Sequence, residues 1–271
     1  MTQQLYVIDS FADRPFAGNP AAVCLLPASR PDAWLQAVAR EMSLSETAFL
    51  LSRPDGDFSL RWFTPSVEVR LCGHATLASA HMLWETGALP QGRPAIFTTL
   101  SGELIGRRAG DWIEMDFPRL DFRAAPPPPA LVEAVDSPFV ASGMGGDLNW
   151  LVELINEDAV RAARPNFALL STIPVQGVIV TARSDDSRYD FVSRYFAPAC
   201  GVDEDPVTGS AHCALGPYWA SKLGRGELTG YQASERGGVV GVVVRNGRVL
   251  LRGQARTISR VELLAEPGEP K

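Results

Sequence analysis

Two stretches decide the fold: RWFTPSVEVRLCGHATLASAHMLWE at 61–85 and RYFAPACGVDEDPVTGSAHCALGPYW at 194–219. An offset of 133 (194 − 61) aligns Arg61 with Arg194, Phe63 with Phe196 and Pro65 with Pro198. A slip of three more residues (209 − 73 = 136) aligns Gly73 with Gly209, Ala75 with Ala211 and Ala78 with Ala214. Aromatic, proline and glycine positions match in order, and a period this long describes two related lobes, not a stack of short repeats.

In each copy a strand end leads through a loop to a glycine, where helical periodicity begins, over 75–85 in the first and 210–223 in the second. Glycine at a helix start leaves unpaired backbone N–H groups open to a close-approaching anion, assisted by the positive end of the helix dipole. Two such ends facing one cleft make a carboxylate cradle. Two helices simply buried in two cores satisfy the same pattern, and the sequence alone leaves both arrangements open.

The rest of the chain bounds the class. Its 271 residues are 46% hydrophobic and 21% charged, enough for a large core. Two lobes are expected, 1–120 and 121–271, with room for the extreme C-terminus to pack back on the first. Net charge is 25 − 31 = −6 without a basic block, which argues against nucleic acid as partner. Only Lys222 and Lys271 are lysines, so no glycine-rich stretch supplies the lysine of a phosphate-binding loop. Cys24, Cys72, Cys200 and Cys213 show no C-x-x-C spacing, and MTQQLYVIDS lacks the marks of a signal peptide. Reduced thiols in the cytosol and no membrane partner are therefore expected, since no apolar run approaches the roughly 20 residues of a bilayer span.

Strands are expected over 5–9, 48–51, 58–63, 95–99, 103–107 and 112–117, then over 150–154, 176–181, 191–196, 239–244 and 249–252, with Asn246-Gly247 as a hairpin turn. A further helix is expected over Asp32–Met42. The stretch 123–130, containing Pro126 to Pro129, reads as a stiff connector between lobes.

Proton-transfer groups cluster at the two helix starts. His74 follows Gly73, while Asp203, Glu204 and Asp205 precede Gly209, with Asp205 nearest and held by Pro206. Capping and dipole complement need only one of those acids. Glu46 in SLSETAFL is a carboxylate approaching an apolar strand, with Ser45 and Thr47 as neighbouring hydroxyls to hold it. Desolvation there would raise its pKa toward the range useful to a general base. His74, His81 and His212 lack the i, i+4 spacing of a zinc pair, so no metal site is expected, and His81 and His212 read as packed or surface residues. Cys72 beside His74 is a weak nucleophile signal, because nucleophile and base usually meet in space and not in sequence.

Taken together, DSFADRPFAGNPAAVC at 9–24, SETAF at 45–49, FTP and CGHAT within 63–76, and DEDPVTGSAH at 203–212 resemble the PhzF-like isomerase family of phenazine biosynthesis. The resemblance implies an α+β fold related to diaminopimelate epimerase: two pseudo-symmetric lobes, each a curved, mostly antiparallel sheet around a central helix, with the active site in the cleft. It puts the catalytic roles on Glu46, His74 and Asp205. Ligand contacts fall on Gly73, Gly209 and Ser210, with Asn19 and Ser45 lining the site. The epimerase relatives use two opposed cysteines; here the corresponding positions are Gly73 and Asp205.

The activity so implied needs no cofactor and no metal. A proton moves on a small unsaturated or amino carboxylic acid, shifting a double bond. An epimerase or racemase of a small amino or hydroxy acid is the alternative within the fold, and a non-catalytic small-acid-binding protein the alternative outside enzymes. Members of the family are often homodimers, so a homodimer is also expected.

Overall fold

The computed structural model describes residues 3–264, which divide into two compact units, 3–116 with 252–264 and 117–251. The first contains β1 (Gln3–Ser10), β2 (Asn19–Leu26), α1 (Asp32–Met42), β3 (Glu46–Ser52), β4 (Phe58–Phe63), β5 (Glu68–Val69), α2 (Gly73–Glu85), β6 (Ala95–Thr99), β7 (Gly102–Ala109) and the start of β8 (Trp112–Pro118). Next come β9 (Phe122–Ala124), α3 (Pro129–Val135), β10 (Phe139–Gly145), β11 (Asn149–Leu154), α4 (Glu157–Ala162), α5 (Phe167–Leu170), β12 (Gly177–Arg183), β13 (Phe191–Ala197) and β14 (Val202–Asp205). The second unit continues with α6 (Gly209–Leu223), β15 (Glu227–Gln232), β16 (Gly238–Arg245) and β17 (Arg248–Gly253). Finally β18 (Ala255–Leu263) runs antiparallel to β1 within the first unit.

The duplication legible in the sequence extends to the order of five strand pairings in each unit. In the first unit β1–β2 is antiparallel, β2–β3 parallel, β3–β4 antiparallel, β4–β6 parallel and β6–β7 antiparallel. In the second, β10–β11, β11–β12, β12–β13, β13–β15 and β15–β16 repeat that order of senses. The parallel pairs require crossovers, which α1 and α2 supply in one unit and α4 with α5, then α6, in the other.

The matched arginines hold matched corners. Arg61 donates through Nε and Nη2 to Glu68, both at 2.7 Å, and its guanidinium lies 5.0 Å over the Phe63 ring. Arg194 does the same with Glu204, at 2.7 and 2.8 Å, and lies 4.9 Å over Phe196. A forked guanidinium matches a carboxylate with two parallel hydrogen bonds, which fixes the short β5 and β14 segments against the strands before them. Glu204, a candidate acid in the sequence, is thereby committed to the scaffold.

Both central helices are buried almost all round, as a helix without a polar face must be. In α2 every residue from His74 to Trp84 except His81 is buried. In α6 Pro217 lacks the N–H that would reach Cys213, and the Leu120 N–H takes the freed carbonyl at 3.1 Å. Gly216 gives β16 its approach to the helix: a Cβ there would lie 2.4 Å from a Val242 methyl. The α1 face buries Trp34, Leu35, Val38 and Ala39, and Trp34 meets Phe49 edge-on at 6.1 Å.

Strands β2, β5, β10, β14, β15 and β18 lie outside the runs expected as strands, because segments such as NPAAVCLL and FVASGMG alternate weakly and β5 and β14 are short. The connector is corrected too. Phe122–Ala124 is a strand paired with β10, and Pro129 opens α3 at its first turn, where a missing N–H costs nothing. Only the prolines between them keep the stiff, irregular character.

The two clamps differ in burial: the Arg194 side chain is 9% exposed and also donates to the Val160, Arg161 and Ala163 carbonyls, whereas that of Arg61 is 34% exposed. Arg194→Ala is expected to cost about 3 kcal/mol or more, because it strands a half-buried carboxylate and three carbonyls. Arg61→Ala should cost about 1 kcal/mol, as solvent screens that pair. Urea unfolding of the two variants checks this; equal midpoints would contradict it.

Candidate active site

The loop between β1 and β2 is tied to the start of α2 in the first unit. Asp9 accepts from the Phe16 N–H at 2.8 Å, and the chain turns through left-handed Phe11, Phe16 and Gly18. A Cβ at Gly18 would sit 2.1 Å from the Ser10 carbonyl oxygen, so only glycine closes this turn. The closure pairs Ser10 with Asn19, both fully buried. Ser10 then donates through Oγ to the His74 carbonyl at 2.7 Å, tying the loop to the start of α2.

Helix α1 ends on left-handed Ser43, which turns the chain so that Ser45, half-buried, precedes β3 and Glu46 opens it opposite Ala21 of β2. Thr47, on the other face, is buried with its hydroxyl lacking a hydrogen-bond partner among the described residues, so it does not hold Glu46. Glu46 instead meets His74. Its Oε2 lies 3.2 Å from Nε2, with the Glu46 side chain 19% exposed and that of His74 8% exposed.

That short distance lacks the alignment of a hydrogen bond, and His74 Nε2 has no hydrogen-bond partner among the described residues. The other ring nitrogen is engaged: Cys72 Sγ lies 3.5 Å from Nδ1. Burial pulls the His74 pKa down to about 3, so the ring is neutral at pH 7. Cys72 is the residue before α2, in extended conformation, and makes no side-chain cap; the first turn contains no acid. The N–H groups at Gly73 and His74 therefore keep the uncompensated positive end of a buried helix next to the Glu46–His74 pair.

Glu46, Cys72 and His74 are the kind of donors that hold a metal ion, and one atom from each lies within 4.8 Å of the others. The nitrogen facing the thiol is not the nitrogen facing the carboxylate. The thiol meets one ring nitrogen in hydrogen-bonding geometry, and the carboxylate approaches the other without it.

In the second unit, Asp205 ends β14 and accepts a short hydrogen bond from the Thr208 hydroxyl. Gln232, fully buried, accepts from the Thr208 N–H at 2.9 Å and donates to the Asp205 carbonyl at 2.8 Å. Ser234 donates to the Pro206 carbonyl at 2.7 Å. These contacts fix the DPVT turn before Gly209 and exposed Ser210, the first two residues of α6. Asp203 is exposed.

The structure thus brings Asn19, Glu46, Gly73 and His74 together on β2, β3 and α2 of one unit, and places Asp205, Gly209 and Ser210 on another. The sequence reading missed Ser10, although it lies in the quoted DSFAD motif. It also missed Gln232 and Ser234, which no local signal marks, and set Cys72 aside. The remaining histidines are structural: His212 is fully buried with Nδ1 2.9 Å from the Thr208 carbonyl, and His81 lies 3.0 Å from Glu85. Burial lowers the His212 pKa to about 4.

Two neutral buried histidines predict an acid-side loss of stability. Unfolded histidine takes a proton near pH 6.5, whereas His74 and His212 in the fold do so only near 3 and 4. The unfolded chain thus binds more protons throughout that interval, and stability falls as pH drops below about 6.5. Between pH 7 and 5 the loss approaches about 2 kcal/mol for each histidine. Urea midpoints measured at the two pH values should show it, and a flat profile would contradict the buried neutral assignment.

Comparison with known proteins bears on what this arrangement does. The family model PhzC-PhzF, described as phenazine biosynthesis-like protein, matches residues 8–260. An uncharacterized isomerase of Halalkalibacterium halodurans is 50% identical over 265 residues, 97% of this chain and 99% of its own length. A solved PhzF-family protein from Enterococcus faecalis aligns with a TM-score of 0.93 at 37% identity, covering 98% of this chain and 100% of that one. A probable proline racemase from Agrobacterium radiobacter K84, at 13% identity and a TM-score of 0.62, covers 99% and 94% and shares the fold alone. The architecture is accordingly the epimerase-like α+β fold. Among the described residues no helix is long and apolar enough to cross a membrane.

Proposed function

Because the chain belongs to the PhzC-PhzF family of phenazine biosynthesis-like proteins, we propose that it is a cofactor-independent isomerase that moves a proton on a small unsaturated or amino carboxylic acid. The observation that carries this reading is the 3.2 Å approach of the Glu46 carboxylate to a buried, neutral His74 at the open start of α2. A base, a neutral polar group and the N–H donors of an uncapped helix start at one place are the parts that proton transfer next to a carboxylate requires.

In the reaction Glu46 takes a proton from a carbon acidified by conjugation to a carboxylate or carbonyl. The electron pair left behind spreads into that conjugated group, giving an enolate-like anion. Glu46, now protonated, returns the proton at the other end of the system and the double bond shifts, with no net oxidation or reduction. The N–H groups at Gly73 and His74 hold the substrate carboxylate and the developing charge, each well-placed donor contributing roughly 3 kcal/mol in comparable oxyanion sites. Asn19 and Ser45 line this side. Asp205 is the second candidate proton-transfer group, and Gly209 and Ser210 are candidate substrate contacts.

The test is solvent deuterium incorporation into aromatic, cyclohexadienyl and amino acids, followed by mass spectrometry. Glu46→Gln should abolish incorporation while leaving ligand affinity within a few-fold. Undiminished exchange in that variant removes Glu46 as the base. Inversion at a stereocentre with all double bonds retained would instead support the epimerase reading, for which Asp205→Asn should abolish exchange of one enantiomer only.

A further inference from the structure

His74 can serve the reaction in two opposite ways. With its proton on Nδ1 it offers a lone pair at Nε2 and acts as a base; with its proton on Nε2 it is a donor. The ring's surroundings choose between them. Nδ1 faces the Cys72 thiol at 3.5 Å, in hydrogen-bonding geometry, and Nε2 faces a carboxylate oxygen at 3.2 Å. A carboxylate 3.2 Å away favours a proton on the facing nitrogen and disfavours a lone pair there. A thiol can donate its hydrogen to the remaining lone pair at Nδ1. The carboxylate favours the tautomer whose free lone pair at Nδ1 the thiol can serve.

We infer that Cys72 is a positioning residue: its thiol donates to His74 Nδ1 and holds the imidazole with its proton on Nε2, as a neutral hydrogen-bond donor toward the reacting acid and not as a second base. The inference rests on the proposed isomerase reading for its meaning, though not for its measurement. It assigns the two tasks of the site to two residues. Glu46 carries the proton, and His74 steadies the charge the proton leaves behind. Burial supports the division, since a ring that stays neutral has one proton to place and cannot donate from both nitrogens.

The protein contains its own reference for the opposite state. His212 Nδ1 lies 2.9 Å from the Thr208 carbonyl, which can only accept, so the proton of that neutral ring must be on Nδ1. Two buried histidines near the starts of corresponding helices should therefore hold opposite tautomers, one set by a thiol and the other by a carbonyl.

The experiment is long-range ¹H–¹⁵N correlation spectroscopy of the full, uniformly ¹⁵N-labelled chain at pH 7 without substrate. The three histidines are assigned from His74→Gln and His81→Gln. His74 is expected in the Nε2–H pattern and His212 in the Nδ1–H pattern. In Cys72→Ala the His74 Nδ1 resonance should move to the position of a nitrogen that accepts no hydrogen bond, whereas Cys72→Ser, which keeps a donor, should restore most of the shift and leave His212 unchanged. A His74 proton on Nδ1 in the unmodified protein overturns the inference, and so does an Nδ1 resonance that Cys72→Ala does not move. Should Cys72→Ala fail to fold, the tautomer of the unmodified protein still decides. Because no substrate is needed, this result stands apart from the deuterium experiment on Glu46→Gln.

Discussion

The constraint on which this molecule turns is the presence of an imidazole inside the protein at the first turn of a buried helix, with a carboxylate 3.2 Å from it. Burial makes a charged imidazole costly, and the helix dipole at that end opposes positive charge further. The ring therefore stays neutral, at the positive end of a helix with no side-chain cap, where an anionic ligand is favoured. The rest of the first unit supplies the means of keeping it there. Gly18 lets the β1–β2 loop close, Ser10 ties that loop to the helix start, and left-handed Ser43 delivers Glu46 at the head of β3.

Duplication explains why the same scaffold can carry different chemistry in its two copies. Thr47 and Val178 lie opposite the matched Phe63 and Phe196, which places Glu46 in register with Gly177. No acid stands at that position in the second unit, where the Tyr195 ring fills the space a side chain at Gly177 would need. Conversely, Asp205 pairs with Tyr195 where Val69 pairs with Trp62. Cys72 and His74 correspond to Thr208 and Ser210. The corners held by Arg61 and Arg194 were kept, and the groups that handle protons diverged.

Those clamping residues were the part legible in the sequence, because arginine, aromatic, proline and glycine each have a backbone or stacking reason to be fixed. Periodicity also marked the three long helices. What stayed hidden depended on contacts far apart along the chain. NPAAVCLL lacks a strand-like alternation until β1 and β3 flank it, and Gln232 reads as an ordinary polar residue until its amide is found bridging the Asp205–Thr208 turn. Cys72 was discounted as a nucleophile because nucleophile and base usually meet in space and not in sequence. Only the fold shows the thiol at Nδ1 and the carboxylate at Nε2.

The central claim, that Glu46 and His74 act together on an acid held by the start of α2, is tested most directly by a crystal structure with an unsaturated carboxylic acid bound. The account predicts the ligand's carboxylate on the Gly73 and His74 N–H groups, with a carbon-bound hydrogen facing Glu46 Oε2 at a carbon-to-oxygen distance of roughly 3 to 3.5 Å. A ligand seated elsewhere, or a Glu46 turned away from both ligand and His74, would contradict it.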